Sequence, residues 1–194
     1  MEQDDVLKAF RDTKALLSGH FELRSGLHSD QYFQCAMVLQ YPVVTARLCG
    51  ALAGALSVAG LDARHVDTVI APAMGGLFVG HEIARSMGVR SIFVEKEPPT
   101  GRLVLRRGFR IAPGERFVVA EDVITRGGRV QETVDIVRGG GGVVAAVAVL
   151  VDRSGGSATF NAPVFSLLRM TPVTWKPEDC PLCRAGGKPE HPGS

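Results

Sequence analysis

The chain has 194 residues, of which 45% are hydrophobic and 22% are charged, the balance of a folded globular protein rather than a disordered one. This length predicts one domain with a sizeable core. The 22 basic and 20 acidic side chains leave a net charge of +2. The overall charge therefore predicts neither nucleic acid nor an anionic membrane as a partner, and any anion site must be local.

The sequence predicts no secretory leader and no membrane span. Three acids, Glu2, Asp4 and Asp5, lie near the start, and the longest apolar run covers only residues 143–151, far fewer than the ~20 residues that a membrane helix needs. We therefore expect a cytoplasmic protein with reduced cysteines. Two of these, Cys35 and Cys49, lie in apolar surroundings and are expected to be buried thiols.

The first third of the chain predicts a helix, two strands and a second helix. Apolar residues recur at helical spacing, which predicts a helix from Asp4 or Asp5 to about residues 18–19. Residues 20–39 alternate around a turn at Gly26 and predict two strands. A second helix is expected over residues 42–59, opened by proline and closed by Gly60.

Buried strands alternate with helices in the remainder. The predicted strands cover residues 67–73, 90–95, 116–122 and 143–152, and the helices cover residues 76–87 and 128–138. This alternation predicts an α/β fold with a parallel central sheet flanked by helices. Residues 96–115 instead predict a projecting hairpin with its turn at residues 98–101. After Asp152 we expect a strand at residues 162–169 and a tail without helices.

The loop after the third predicted strand of this sheet is the richest in chemistry. Glu121 and Asp122 end the strand, and Thr125, Gly127 and Gly128 lead into a helix. Glycines let backbone N–H groups approach a phosphate, and carboxylates bind ribose hydroxyls or magnesium-bound water. The loop therefore predicts an anion cradle, although composition alone equally suits an ordinary turn before a helix.

This loop resembles the signature of the phosphoribosyltransferases that use 5-phosphoribosyl 1-diphosphate, in which two acids after an apolar strand precede Val-x-Thr-x-Gly. Residues 21–33, 71–76 and 152–156 resemble the orotate phosphoribosyltransferases more narrowly. The resemblance implies the type I phosphoribosyltransferase fold in one domain over residues 1–194. Its parts would be a small hood from residues 18–40 and C-terminal strands, a flap at about 96–110 and a Cys-containing tail at about 176–194.

The resemblance also implies an activity. N1 of orotate would displace pyrophosphate from the sugar, giving orotidine 5′-monophosphate for pyrimidine (UMP) biosynthesis. The implied cofactor is Mg²⁺, held by Glu121 and Asp122 through water. The implied assembly is a homodimer that shares its flap across the interface, with no nucleic acid or membrane partner.

The resemblance assigns roles to individual residues. Those implied to bind phosphoribosyl diphosphate are Arg24, Met74, Gly75, Lys96, Glu121, Asp122, Val123, Ile124, Thr125, Arg126, Gly127, Gly128 and Arg129. Those implied to bind orotate are Tyr32, Phe33, Thr125 and Arg153. The implied catalytic residues are Lys96, Arg102, Arg106, Arg107 and Asp122.

Arg153 is the candidate for base specificity, because a guanidinium fork matches a carboxylate and a ring oxygen with paired hydrogen bonds. The alternative is a solvated charge at the end of a strand. Without the resemblance, Tyr32 and Phe33 would be interpreted as core aromatics.

The chain departs from the family pattern at two places. The flap of better-known members carries Lys-Glu-x-Lys-Asp-His, whereas only Lys96-Glu97 remains here, so the flap arginines would have to neutralise pyrophosphate; a solvated hairpin face is the alternative. In the phosphate loop, Arg126 and Arg129 replace small or hydroxyl residues, and Arg129 would either bind phosphate or crowd the loop.

The tail contains Cys180-Pro181-Leu182-Cys183, half of a zinc site by spacing. The sequence indicates no partner pair, because His20, His28, His65 and His81 show no ligand spacing. We therefore interpret the cysteines as a packing or redox-labile thiol pair and assign no metal to the tail. Two other functions stay open: a phosphoribosyltransferase for another base, which Arg153 disfavours for purines, and a non-catalytic sensor of phosphoribosyl diphosphate.

Overall fold

The computed structural model describes residues 1–23 and 25–192. The helices are α1 (Gln3–Asp12), α2 (Ala36–Leu39), α3 (Pro42–Val58), α4 (Gly75–Met87), α5 (Gly128–Gly139) and α6 (Pro181–Arg184). The strands are β1 (Leu16–Glu22), β2 (His28–Phe33), β3 (Thr68–Pro72), β4 (Arg90–Lys96), β5 (Leu103–Leu105), β6 (Arg116–Ile124), β7 (Val143–Asp152), β8 (Val164–Arg169) and β9 (Thr174–Trp175).

A six-stranded sheet in the order β5-β4-β3-β6-β7-β8 forms the centre of the molecule. All its strand pairs are parallel except β4–β5, which is antiparallel. Strands β3, β6 and β7 are almost wholly buried because helices cover both faces. The predicted α/β fold with a parallel sheet is confirmed.

The two faces of the sheet have separate apolar cores. Helices α1, α3 and α4 pack on one face, where Phe10, Leu52 and Ile83 are buried. Helix α5 packs on the other face, where Phe117 and Val134 are buried beside the flap. Cys35 and Cys49 lie in the first core, as predicted.

A second, antiparallel sheet in the order β1-β2-β9, which we call the hood sheet, joins the start of the chain to its end. β9 pairs with β2 at Ser29 and His28. The Ser29 hydroxyl donates to the Val173 carbonyl at 2.9 Å. Further along, the Glu190 N–H donates to the His20 carbonyl at 2.8 Å, so the C-terminal segment lies along β1 as well.

The flap is a hairpin, as predicted, and it packs against α5. The Glu97 and Gly101 N–H groups close its turn with bonds to the Arg102 and Glu97 carbonyls. Its strand β5 is short, since pairing with β4 covers only Leu103–Leu105.

Three local predictions are wrong. Helix α1 ends at Asp12 rather than near residues 18–19, because Lys14 has a positive φ of 58° that reverses the chain and sends Leu17 into β1. Residues 36–39 form helix α2 rather than a strand; a four-residue apolar run suits either structure. The tail contains α6, which Pro181 opens at its first position.

None of the helices in the described ranges is long and apolar enough to cross a membrane.

Helix α4 approaches the sheet closely at Gly80. A Cβ at this position would lie 2.8 Å from Cβ of Ala71 in β3, and one at Gly76 would lie 2.7 Å from Oε1 of Glu121 in β6. Real Cβ atoms do not come this close. The two glycines therefore set the height of α4 above the sheet and bring its first turn against the end of β6.

Substitution of Gly80 tests this packing, with Gly54 as a matched control in an open, exposed position of helix α3. Gly80→Ala should lower the free energy of unfolding by about 1–3 kcal/mol through overpacking. Gly54→Ala should raise it by roughly 0.5–1 kcal/mol, because alanine loses less entropy in a helix. Urea unfolding measures both, and a stabilising Gly80→Ala would contradict the close packing.

Candidate active site

Three loops meet where β3, β6 and β7 end. The parallel register pairs Ile124 of β6 with Asp152 of β7, and the Arg153 N–H donates to the Ile124 carbonyl at 2.8 Å. The loop after β3 reaches the same edge, since the first turn of α4 faces Glu121 and Asp122. Crevices at this edge of a parallel sheet are the usual place for ligands.

The acidic pair lies directly against the N-terminus of α4. A Cβ at Gly75 would come within 2.4 Å of Oδ2 of Asp122, so no other residue fits there without movement. The Gly76 N–H donates to the Glu121 carboxylate, and the peptide bond between Ala73 and Met74 is cis. The positive end of the helix dipole thus faces two carboxylates.

Burial dominates the electrostatics of this pair. Glu121 is 8% exposed, and burial together with the charge of Asp122 raises its pKa well above the usual range. Burial also raises the pKa of Asp122. Among the described residues, no Lys or Arg pairs with either carboxylate, whose charge is met by the N–H groups of Asp122 and Val123 at 3.0 and 2.8 Å. The pair is therefore ready to accept hydroxyl groups or a cation.

The loop after β6 forms a small cradle at the start of α5. It borders a cavity of about 410 Å³ lined by Asp122, Thr125 and Gly128, among others. Gly127 has a φ of 78°, and a Cβ there would lie 2.8 Å from the Phe160 ring, so glycine is needed for conformation and for space. With Thr125 exposed beside the N-terminus of α5, the loop suits a phosphate group.

The two unusual arginines of this loop have different environments. Arg126 is exposed. Arg129 lines the cavity, but its Nη1 donates to Glu132 at 2.8 Å and to the Gly101 carbonyl in the flap at 3.1 Å. Its guanidinium therefore ties the loop to the flap, and it does not crowd the glycines.

Arg153 lies half-buried beside the hood sheet with no ion pair in the described part of the chain. Its Cζ lies 5.2 Å from the centre of the Phe33 ring, a cation–π distance. Its Nε is buried without a hydrogen-bond partner, and burial lowers the pKa of the group. A buried guanidinium that lacks an anion is costly, so the geometry suits a planar anionic ligand.

The flap candidates are exposed in this structure. Lys96 ends β4, and Arg102 and Arg106 flank β5. Arg107 instead donates twice to the Glu95 carboxylate, at 2.9 Å each. Met74 is exposed before α4 and Tyr32 packs near Phe21, whereas Arg24 lies outside the described residues.

The structure adds roles that the sequence did not assign. Gly76 donates to Glu121, and Gly80 sets the height of its helix; a pair of glycines at a helix start was the available signal. Cys35 is buried beside Arg153 and Asp122, and burial raises the pKa of its thiol well above the usual value. The raised pKa disfavours the reactive thiolate, so we interpret Cys35 as a structural thiol beside the site.

Known proteins resemble this chain over most or all of its length. The phosphoribosyl transferase domain model matches residues 45–182. The orotate phosphoribosyltransferase of Heliobacterium modesticaldum is 51% identical over 195 residues, covering 100% of this chain and 99% of the relative. That of Acidithiobacillus ferrooxidans is 48% identical over 198 residues, covering 100% and 98%.

Solved structures share the fold. Orotate phosphoribosyltransferase from Aeropyrum pernix aligns with a TM-score of 0.71 and 26% identity, over 85% of this chain and 93% of that one. An adenine phosphoribosyltransferase from Thermoanaerobacter pseudethanolicus aligns with a TM-score of 0.61 and 20% identity, over 72% and 88%, a likeness of fold alone. The family match and the full-length relatives together show that this chain belongs to the orotate phosphoribosyltransferase family.

Proposed function

We propose that the protein transfers the ribose 5-phosphate of 5-phosphoribosyl 1-diphosphate to N1 of orotate, in pyrimidine biosynthesis. The observation that carries this proposal is Arg153, a half-buried guanidinium with an unpartnered Nε over the Phe33 ring. Orotate offers a carboxylate and a ring oxygen to the Arg153 guanidinium, and its flat ring could lie near the Phe33 side chain. Adenine and hypoxanthine offer no carboxylate.

The reaction demands charge placement more than a strong base. The deprotonated N1 of orotate attacks the anomeric carbon, and the bond from that carbon to pyrophosphate breaks with both electrons leaving on oxygen. Positive charge develops on the sugar while negative charge grows on the leaving group. The site must therefore place anions near the ribose and cations near the pyrophosphate.

Glu121 and Asp122 would bind the ribose hydroxyls and hold Mg²⁺ through water. Carboxylate oxygens are ligands that Mg²⁺ prefers, and Glu121 and Asp122 both line the cavity of about 410 Å³, so the residues fit this ion. When bound, the ion supplies positive charge that offsets the charge of the pyrophosphate. Val123, Ile124 and the loop from Thr125 to Arg129 would enclose the 5′-phosphate, while Thr125 also faces orotate.

The flap would supply cations to the pyrophosphate, opposite the Met74–Gly75 loop. Arg102 and Arg106 are exposed and form no ion pair within the described ranges, whereas Arg107 would have to leave Glu95. Arginine does not release a proton near neutral pH. The flap arginines would thus stabilise charge, and Lys96 or solvent would donate any proton.

We further propose a homodimer that shares its flaps. An apolar cavity of about 780 Å³, lined by Leu39, Pro42 and the exposed side chains of Met74 and Phe78, opens on the face made by α2, α3 and α4. A second copy of this chain would cover these side chains. Met74 belongs to the proposed pyrophosphate loop, so that interface would border the active site. The cytoplasmic location stays a prediction.

Substitution of Arg153 tests the proposed function. Arg153→Ala should lower kcat/KM for orotate by about 100-fold or more, since each charge-assisted hydrogen bond contributes roughly 1.5–3 kcal/mol. Arg153→Lys should recover only part of this loss, because an ammonium has no fork. The dissociation constant of phosphoribosyl diphosphate, measured by calorimetry, should stay within about twofold.

The control is Arg169→Ala, an exposed arginine of β8 at the position paired with Asp152 in β7, which should leave the kinetics unchanged. Wild-type kcat/KM in Arg153→Ala would show that the base is recognised elsewhere.

The raised pKa of Glu121 predicts a dependence of stability on pH. The folded state binds this proton more tightly than the unfolded state, so the contribution of Glu121 to the free energy of unfolding falls as the pH rises above about 4.5. Glu121→Gln should therefore gain stability relative to the wild type as the pH rises from 5 to 8, because the glutamine has no proton to lose. It should also bind phosphoribosyl diphosphate more weakly.

Urea unfolding at several pH values measures this difference. Glu2→Gln, at an exposed position ahead of α1, is the matched control and should follow the wild-type profile. Parallel profiles for Glu121→Gln and the wild type would disprove the raised pKa.

A further inference from the structure

Two histidines of the hood sheet face two cysteines of the C-terminal tail. His20 belongs to β1 and His28 begins β2, while Cys180 caps α6 and Cys183 lies within it. One nitrogen or sulfur atom from each residue lies within 4.8 Å of all the others. The cluster belongs to the hood, and none of its members lines the cavity beside Asp122.

The distances between the ligand atoms of the cluster match those around a tetrahedrally coordinated metal ion. Nε2 of His20 lies 3.0 Å from Nδ1 of His28, and Sγ of Cys183 lies 3.3 Å from that Nδ1. The Sγ atoms of Cys180 and Cys183 lie 3.5 and 3.7 Å from Nε2 of His20. Zinc bond lengths give tetrahedral edges of ~3.3 Å between nitrogens and ~3.6 Å between nitrogen and sulfur.

The surroundings of the cluster are those of a closed site. Cys180 is fully buried and His28 is 4% exposed. A thiol and an imidazole without a binding partner would more commonly lie at the surface, in contact with water. Nδ1 of His20 is buried without a hydrogen-bond partner. That nitrogen would carry the ring proton when Nε2 binds a metal.

The donor set selects the metal. Two thiolates and two imidazoles are soft to borderline ligands that suit zinc and do not suit Mg²⁺. Four protein ligands fill the tetrahedron, so no position is left for a substrate or a reactive water. The spacing of Cys180 and Cys183, with two residues between them, is also that of structural zinc sites.

We propose that His20, His28, Cys180 and Cys183 bind one structural zinc ion that fastens the C-terminal tail to the hood sheet. Binding releases the two thiol protons to solvent, while both imidazoles bind in their neutral form. No electron transfer is involved. This proposal replaces our sequence-based assignment of no metal to the tail. The second ligand pair, His20 and His28, lies about 160 residues earlier in the chain.

The position of the ion explains why the tail would need it. The elements at the end of the chain are short: β9 has only two residues and α6 has four, and beyond them Glu190 pairs with β1. The ion would link α6 directly to β1 and β2, near the turn that joins these two strands. Strand β2 carries Phe33 at its other end, under Arg153, so the site would fix one end of the strand that borders the base.

Metal content tests the proposal directly. Protein purified without an immobilised-metal column should contain about one zinc ion per chain by mass spectrometry, and Cys180→Ser and Cys183→Ser should each contain less than about a tenth of that. Cys49→Ala is the matched control, because Cys49 is an equally buried thiol in helix α3. It should keep its zinc.

Two measurements on the wild type keep the test independent of variant folding. Replacement of zinc by Co²⁺ should produce the absorption of tetrahedral cobalt with thiolate-to-metal charge transfer. A strong chelator should lower the Tm by roughly 5 °C or more in the wild type and leave Cys183→Ser unchanged.

Three results would overturn the proposal: wild-type protein with less than a tenth of a zinc ion per chain, no tetrahedral cobalt spectrum on reconstitution, or a disulfide between Cys180 and Cys183 in protein that had been kept reduced until analysis.

Discussion

The close packing of helix α4 on the central sheet is the constraint on which the site depends. Gly80 allows the helix to approach β3, and Gly76 and Gly75 allow its first turn to reach the ends of Glu121 and Asp122. Any side chain at these positions would lift the helix and withdraw its N–H groups from the carboxylates. The acidic pair, the loop before α4 and the phosphate cradle therefore form one unit. Its close packing is possible because Gly75, Gly76 and Gly80 have no side chains.

The same unit leaves charge uncompensated. Two buried carboxylates lie together without a basic partner in the described chain, and the guanidinium of Arg153 lies nearby with a buried, unpaired Nε. Such an arrangement costs stability in the free protein. Ligands that bring a cation and hydroxyl groups to the acids and a carboxylate to the arginine would remove that cost, so ligand binding should stabilise the folded protein through these residues.

The sequence predicted the parallel strands and the long helices, because their apolar patterns and glycine or proline ends are local signals. It also predicted where the candidate residues lie, since Glu121 and Asp122 are near the end of one buried strand and Arg153 directly follows another. It missed the end of α1, where a single residue with positive φ reverses the chain, and the short helices α2 and α6, which four-residue patterns cannot distinguish from strands. The cluster of His20, His28, Cys180 and Cys183 was beyond local patterns, because it joins the two ends of the chain through the hood sheet.

The identity of the acceptor base is the central claim, because the fold alone is shared with enzymes that act on purines. The most direct measurement mixes the purified protein with phosphoribosyl diphosphate and Mg²⁺ and follows the ultraviolet absorbance of orotate, with uracil, adenine and hypoxanthine as parallel acceptors. We expect turnover of orotate alone, abolished by removal of Mg²⁺. Turnover of another base in preference to orotate, or tight binding of phosphoribosyl diphosphate without turnover of any base, would contradict it.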